Sequence, residues 1–175
     1  MDRHGLKVDL HVHSKFSKRP SQWILQKIDC PESFSEPSKI YDLARKRGMD
    51  LVTISDHNSL DGSLEIAHLE GTFLSEEVTT YFPEDRCKLH VLTLDITEEQ
   101  HREISRVREN VYDLVGLLHE QGIVHVLAHP FYSMNDRLTP EHFERLLLLF
   151  QLFEHNGARN DDQNQALKHI LTNLG

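Results

Sequence analysis

Several residue types are scarce in this chain, and each scarcity excludes something. Cysteine occurs twice, at Cys30 and Cys87, and forms no C-x-x-C pair. That argues against a disulfide framework or a thiolate metal cage and suits a reducing, cytoplasmic compartment. No apolar run approaches the ~18 residues that cross a bilayer. The opening MDRHGLKVDL lacks the apolar stretch and small-residue cleavage site of an export signal. The sequence therefore predicts a cytoplasmic protein without a membrane anchor. Cationic side chains are in the minority, with 19 Lys and Arg against 28 Asp and Glu and a net charge of −9. Such an excess is poorly matched to a nucleic-acid backbone. What remains is 175 residues at 38% hydrophobic and 27% charged, the material of one domain able to bury a core.

Histidine is the residue in excess. Its 13 copies are about three times ordinary usage. Two of them lie in DLHVHS (Asp9–Ser14), directly after an apolar run that starts at Leu6. Residues two apart on a strand point to one face, so His11 and His13 project together while Leu10 and Val12 face the other way. A histidine pair at the end of a strand can grip a metal ion.

Strands and helices alternate around this motif. Lys7–His13, Leu51–Ser55, Thr72–Thr79, Leu89–Leu94, Ile123–Ala128 and Leu152–Glu154 read as strands. Ser38–Arg47 and Asp61–Ala67 read as short helices, the first stopped by Gly48. A capping box at Thr97–Gln100 opens a longer helix, whose Ile104, Val107, Val111, Leu114, Val115 and Leu118 form one buried face before Gly122 ends it. Thr139-Pro140 starts another, and Asp161–Asn173 reads as a last amphipathic helix. This order predicts a parallel sheet covered by helices, with its chemistry at the C-terminal ends of the strands. Between His13 and Ser38 runs a polar, Pro-containing stretch with Trp23 at its middle, long enough to be a lid or binding loop.

Ligand-type residues recur at the predicted strand ends. They are His11 and His13, then Asp56 and His57 in TISDHN, Glu76 and Glu77 in SEEVTT, His90 in KLHVL and His129 in VLAHP. His90 alone lies nearer a strand's start. Imidazole and carboxylate without thiolate suit Zn²⁺, Mn²⁺ or Fe²⁺ in an open, hydrolytic site. Five histidines and a glutamate exceed what one catalytic zinc uses, so two or more ions are expected. Asp9 and Asp56 fit a supporting role, accepting the distal N–H of ligating imidazoles. The bland readings are a core histidine at His125, which shares a predicted strand face with His129, and surface histidines at His68, His101, His119, His142 and His169. Glu154, His155 and Asn156 end the last predicted strand, where one of them could line the site.

In this order and spacing, DLHVHS, TISDHN, SEEVTT, LHVL and VLAHP resemble the PHP (polymerase and histidinol phosphatase) domain over about Val8 to Gly157. The resemblance implies an α/β fold, a distorted seven-stranded TIM-like β/α barrel. It implies a centre of two or three divalent metals and hydrolysis of a phosphate ester by a metal-bound hydroxide. Carried over residue by residue, the ligands are His11, His13, His57, Glu77 as a bridge, His90 and His129. The choice of Glu77 over Glu76 rests on this alignment. Two departures stand out. The family's D-x-H motif does not occur after Pro130, which predicts a single domain over 1–175 that is incomplete at its C-terminus and lacks one or more strands. HSKFSKRP carries Lys18 and Arg19 where relatives often have HSxxSDG, a basic loop that could meet a substrate phosphate. LFQLFEHNGARNDDQN also resembles PHP chains placed ahead of bacterial glycosyltransferase domains. Two rival readings are a non-catalytic module attached to such a transferase and an amidohydrolase, which shares the H-x-H pair.

Overall fold

A computed structural model describes residues 5–17, 33–131 and 137–155, together with positions 165, 168, 169 and 172. Its elements run β1 (Val8–Asp9), α1 (Pro37–Lys46), β2 (Leu51–Val52), α2 (Asp61–Ile66), β3 (Ser75–Tyr81), β4 (Lys88–Leu94), α3 (Glu98–Val107), α4 (Val111–Glu120), β5 (Val124–Leu127) and α5 (Pro140–Leu149). The last helix, expected over 161–173, is described only at the four isolated positions, which are helical.

β1 and β2 pair in parallel, Val8 opposite Leu51 and Asp9 opposite Val52. Both strands are shorter than their sequence pattern predicts. Beyond them the chains stay side by side through other bonds: Ser55 N–H donates to Val12 O at 2.8 Å, and Val12 N–H donates to Ser55 Oγ at 3.0 Å. A side-chain hydroxyl standing in for a carbonyl ends the regular ladder while keeping the register.

β3, β4 and β5 form a second sheet, and both of its pairings are antiparallel. This corrects the expectation of an all-parallel sheet. The link between β3 and β4 is a tight turn in which Phe82 N–H donates to Cys87 O at 2.9 Å. A parallel pair would need a crossover of a dozen or more residues. Isolated parallel bridges join Val52 to Thr72, His57 to Glu77 and Leu127 to Phe153. The lateral order is thus β1, β2, β3, β4, β5 and the Phe153 segment. Among the described residues these are five strands in two small sheets, and they do not close into a barrel.

The helix expected from Thr97 to Gly122 is two helices. Thr97 and Gln100 form the reciprocal capping box that opens α3, and Asn110 caps α4 by accepting from Tyr112 N–H at 3.0 Å. Ile104 of α3 and Val111, Leu114, Val115 and Leu118 of α4 are all buried, as their spacing predicts. They pack with Leu146 and Phe150 over Val78, Leu89, Val91 and Leu127. Strand alternation sends Glu77 and His90 to the opposite face of the same sheet. One face of β3 and β4 is therefore held by helices, while the other carries the polar cluster beside a small apolar group of Leu92, Leu94 and Ala128.

Candidate metal centre

Glu77 lies in the middle of β3 with 1% of its surface exposed. Five imidazoles surround its carboxylate. His11 Nε2, His13 Nε2 and His57 Nδ1 stand 3.1, 3.0 and 3.3 Å from Oε2. His90 Nδ1 and His129 Nε2 stand 2.8 and 2.9 Å from Oε1. The rings also neighbour one another in a closed circuit, His11–His13–His57–His90–His129, with centroids 4.5–5.8 Å apart. The structure thus gathers all six sequence-proposed ligands, from five segments of chain, around one acid.

Local structure explains how each arrives. His11 and His13 follow β1 on one side of an extended chain. His57 pairs with Glu77 through an isolated parallel bridge, which brings it beside the carboxylate. His90, out of place in a parallel reading, belongs to a strand that runs the other way, so its start lies at the rim where the others end. His129 breaks the alternation: as the second residue after Leu127 it would face the helices, but its φ of 31° turns it away. His125, which keeps the strand pattern, packs instead against His119 and Phe150 and bonds Ile123 O at 2.8 Å. The two do not share a face, contrary to the sequence reading, although His125 does behave as a structural histidine. His101 and His142, expected on the surface, are drawn in: His101 Nδ1 lies 2.9 Å from Glu76, and His142 is buried beside Phe82. The choice between adjacent acids is resolved by alternation, since Glu76 faces α3 and its His101 while Glu77 faces the cluster.

Asp56 and Asp9 do not bond imidazoles. Asp56 is fully buried and accepts from Ser14 twice, from the backbone N–H and from the hydroxyl, both at 2.6 Å. It fixes the chain between His13 and His57 rather than a ring. Burial pushes its carboxyl up in pKa, more than the Ser14 bonds pull it down. Asp9 is exposed on the edge of β1. Two described residues meet distal ring nitrogens: Glu154, 2.8 Å from His11 Nδ1, and Ser17, 3.2 Å from His13 Nδ1. Glu154 was legible only as one of three polar residues ending the last strand. Ser17 gives no signal, because serine is common in loops. Lys18 and Arg19 lie outside the described residues.

The donor set fits divalent cations. Ligand atoms at ~2.0–2.1 Å from an ion are roughly 3.0–3.4 Å apart in tetrahedral or octahedral spheres, close to the spacing of the nitrogens about Glu77 Oε2. Two overlapping groups have all their donor atoms within 4.8 Å of one another: His11, Glu77 and His129, and His13, His57 and Glu77. Hydrogen bonding alone leaves the cluster unfinished, with Glu77 Oε2 and both ring nitrogens of His90 buried and lacking a hydrogen bond. Electrostatics agree with an anionic carboxylate at Glu77 and a neutral ring at His90. Burial pushes Glu77 up, but the close imidazoles of His11, His129, His13 and His90 hold it well below the usual carboxylate range. Burial drives His90 down to about 3, which leaves it the neutral ring a metal requires. His11 goes the other way. Burial lowers it, yet Glu154 and Glu77 together raise it to about 10.

No family model matches the chain. An uncharacterized protein of Methanocaldococcus jannaschii is 27% identical over 177 residues, spanning 97% of this chain and 94% of its own. Among solved structures, a provisionally named metal-dependent phosphoesterase from Bifidobacterium adolescentis aligns with a TM-score of 0.64 at 16% identity, over 96% of this chain and 84% of that one. An amidohydrolase from Chromobacterium violaceum, solved with sulfate and no metal, aligns with a TM-score of 0.65 at 17% identity, over 92% and 81%. At such identities the likeness is one of α/β fold.

Proposed function

We propose that this chain is a metal-dependent phosphoesterase of PHP type, acting on a small phosphorylated substrate at a centre of at least two divalent ions. The observation that carries the reading is Glu77, a buried anion met on each oxygen by imidazole nitrogens. His11 and His129 would hold one ion and His13 and His57 the other. Glu77 would bridge them, and His90 would complete the shell beside Oε1. Such ions lower the pKa of water enough to supply a nucleophile near neutral pH, and they offset the charge that develops on a phosphate ester. The protein's part is placement. Glu77 brings the negative charge that lets two cations sit close together. Asp56, through Ser14, ties the His13 segment to the strand end that carries His57. The basic pair Lys18 and Arg19, which follows the first motif, is proposed to meet the substrate phosphate.

Closure of a seven-stranded barrel belongs to the same proposal. The test is metal analysis of purified full chain together with hydrolysis of p-nitrophenyl phosphate under Mn²⁺ or Zn²⁺. Two bound ions and hydrolysis lost in His11→Ala are expected. Less than one ion per chain would overturn the reading. The fold likeness to an amidohydrolase favours a second reading, hydrolysis of a C–N bond by the same centre. Turnover of an N-acyl amino acid but not of the phosphate ester would select it. Ion uptake with neither activity would select the non-catalytic module.

A further inference from the structure

Glu154 stands outside both candidate ligand groups, yet it is built into one of them. Its backbone is locked beside β5: Leu127 N–H donates to Leu152 O at 3.0 Å, and Glu154 N–H donates to Leu127 O at 2.9 Å. Each oxygen of its carboxylate is engaged. Oε1 lies 2.8 Å from His11 Nδ1, and Oε2 accepts the backbone N–H of His129 at 2.7 Å. The second bond is local to the one backbone feature that aims His129 at Glu77, the φ of 31°. A non-glycine residue in that region carries strain and persists only where its surroundings hold it. The first bond sets the tautomer of His11. A proton held on Nδ1 by a carboxylate leaves Nε2, 3.1 Å from Glu77 Oε2, as the ring atom that would exchange its proton for an ion.

We propose that Glu154 is a positioning residue that organises one ion site selectively, holding His11 by its ring and His129 by its backbone while leaving the His13–His57 site to other supports. The inference rests on the metal-centre reading above. It adds an asymmetry that the two donor groups alone do not contain: the ring of His11 and the N–H of His129, which Glu154 holds, belong to the His11–Glu77–His129 set. Carboxylate partners of ligating histidines carry about 10–100-fold in metal affinity. A glutamine at this position keeps the shape but has one acceptor oxygen for two donors.

The experiment is a Co²⁺ titration of the metal-free full chain, followed by visible absorption and by competition with a chelator. Two binding steps are expected for the wild type. In Glu154→Gln one step weakens about 10–100-fold and the other keeps its affinity. Glu154→Ala gives the same pattern more strongly, with the far-UV circular dichroism of the metal-free protein reporting its fold. Unchanged affinity at both steps, or equal weakening of both, would overturn the proposal. A second readout needs no variant. Nitrogen NMR of the Zn²⁺-loaded wild type should show His11 protonated on Nδ1, and a proton on Nε2 instead would count against it. A wild type that takes up no ion overturns the metal-centre reading and this inference together. A wild type that binds two ions whose affinities ignore Glu154 overturns this inference alone.

Discussion

Gly62 on α2 supports the centre from behind, and replacing it with alanine tests how rigid that support is. A Cβ at this position would lie 2.1 Å from Asp56 Oδ2, 2.7 Å from Ser14 Oγ and 2.9 Å from Ile54 Cγ2. None of the three can step aside cheaply, because Asp56, Ser14 and Ile54 are all fully buried. Asp56 is also pinned by its two 2.6 Å bonds from Ser14. Overpacking of this kind costs about 1–3 kcal/mol. Moving the carboxylate also weakens hydrogen bonds to a charged group, worth about 1.5–3 kcal/mol each. Gly62→Ala should therefore destabilise the metal-free protein by about 3–5 kcal/mol. At about 2–4 °C per kcal/mol for a chain of this size, the melting temperature should fall by about 6–20 °C in a calorimetric scan. Because Asp56 and Ser14 adjoin His57 and His13, the His13–His57 step of a Co²⁺ titration should weaken as well. A melting temperature within about 2 °C of wild type would show that α2 can move away freely, and the support described for these ligands would be wrong.

Two further outcomes follow from the electrostatics and the shared acid. A histidine ligand binds in its neutral form, whereas His11 in the metal-free protein titrates at about 10. Ion uptake at pH 7.5 should release close to one proton from His11, measurable by calorimetry in buffers of different ionisation heat, and no release would refute the assignment. The same shift has a stability sign. A histidine raised from 6.5 to about 10 on folding contributes stability that is fully present below pH 6.5 and is lost as the pH rises toward 10. His11→Gln should therefore cost the metal-free protein more at pH 6 than at pH 10. For Glu77→Gln the expectation is loss of both ions together, read by metal analysis, since both candidate groups share this carboxylate; retention of either ion would exclude a bridge.

The sequence carried the residues of the cluster better than the frame that holds them. His11, His13 and His57 could be read from period-two alternation and strand ends, which are local properties of the chain, whereas Glu77 was separated from Glu76 only by the family resemblance. His90 looked misplaced because strand direction depends on the turn at residues 82–87, and a sequence pattern does not show which way a strand runs. The face of His129 was illegible for a different reason: a single positive φ at the end of β5 reverses its direction. Glu154 was one of three plausible polar residues until a long-range pairing with Leu127 chose it. The break between α3 and α4 could have been suspected from Asn110, a good capping residue, but the apolar spacing runs through it without a change of phase.

The span of the His11–Glu154 bond, 143 residues, sets an order of assembly during synthesis. His13, His57 and Glu77 have all been translated by residue 77, whereas the partner set waits for His129 and its clamp for Glu154. A nascent chain thus contains the residues of one proposed trio long before those of the other exist. The contacts that unite the chain's beginning with its late segments are the slowest to form. An ion captured early by the proposed first trio would remain in a half-built vessel until His129 and Glu154 had been made.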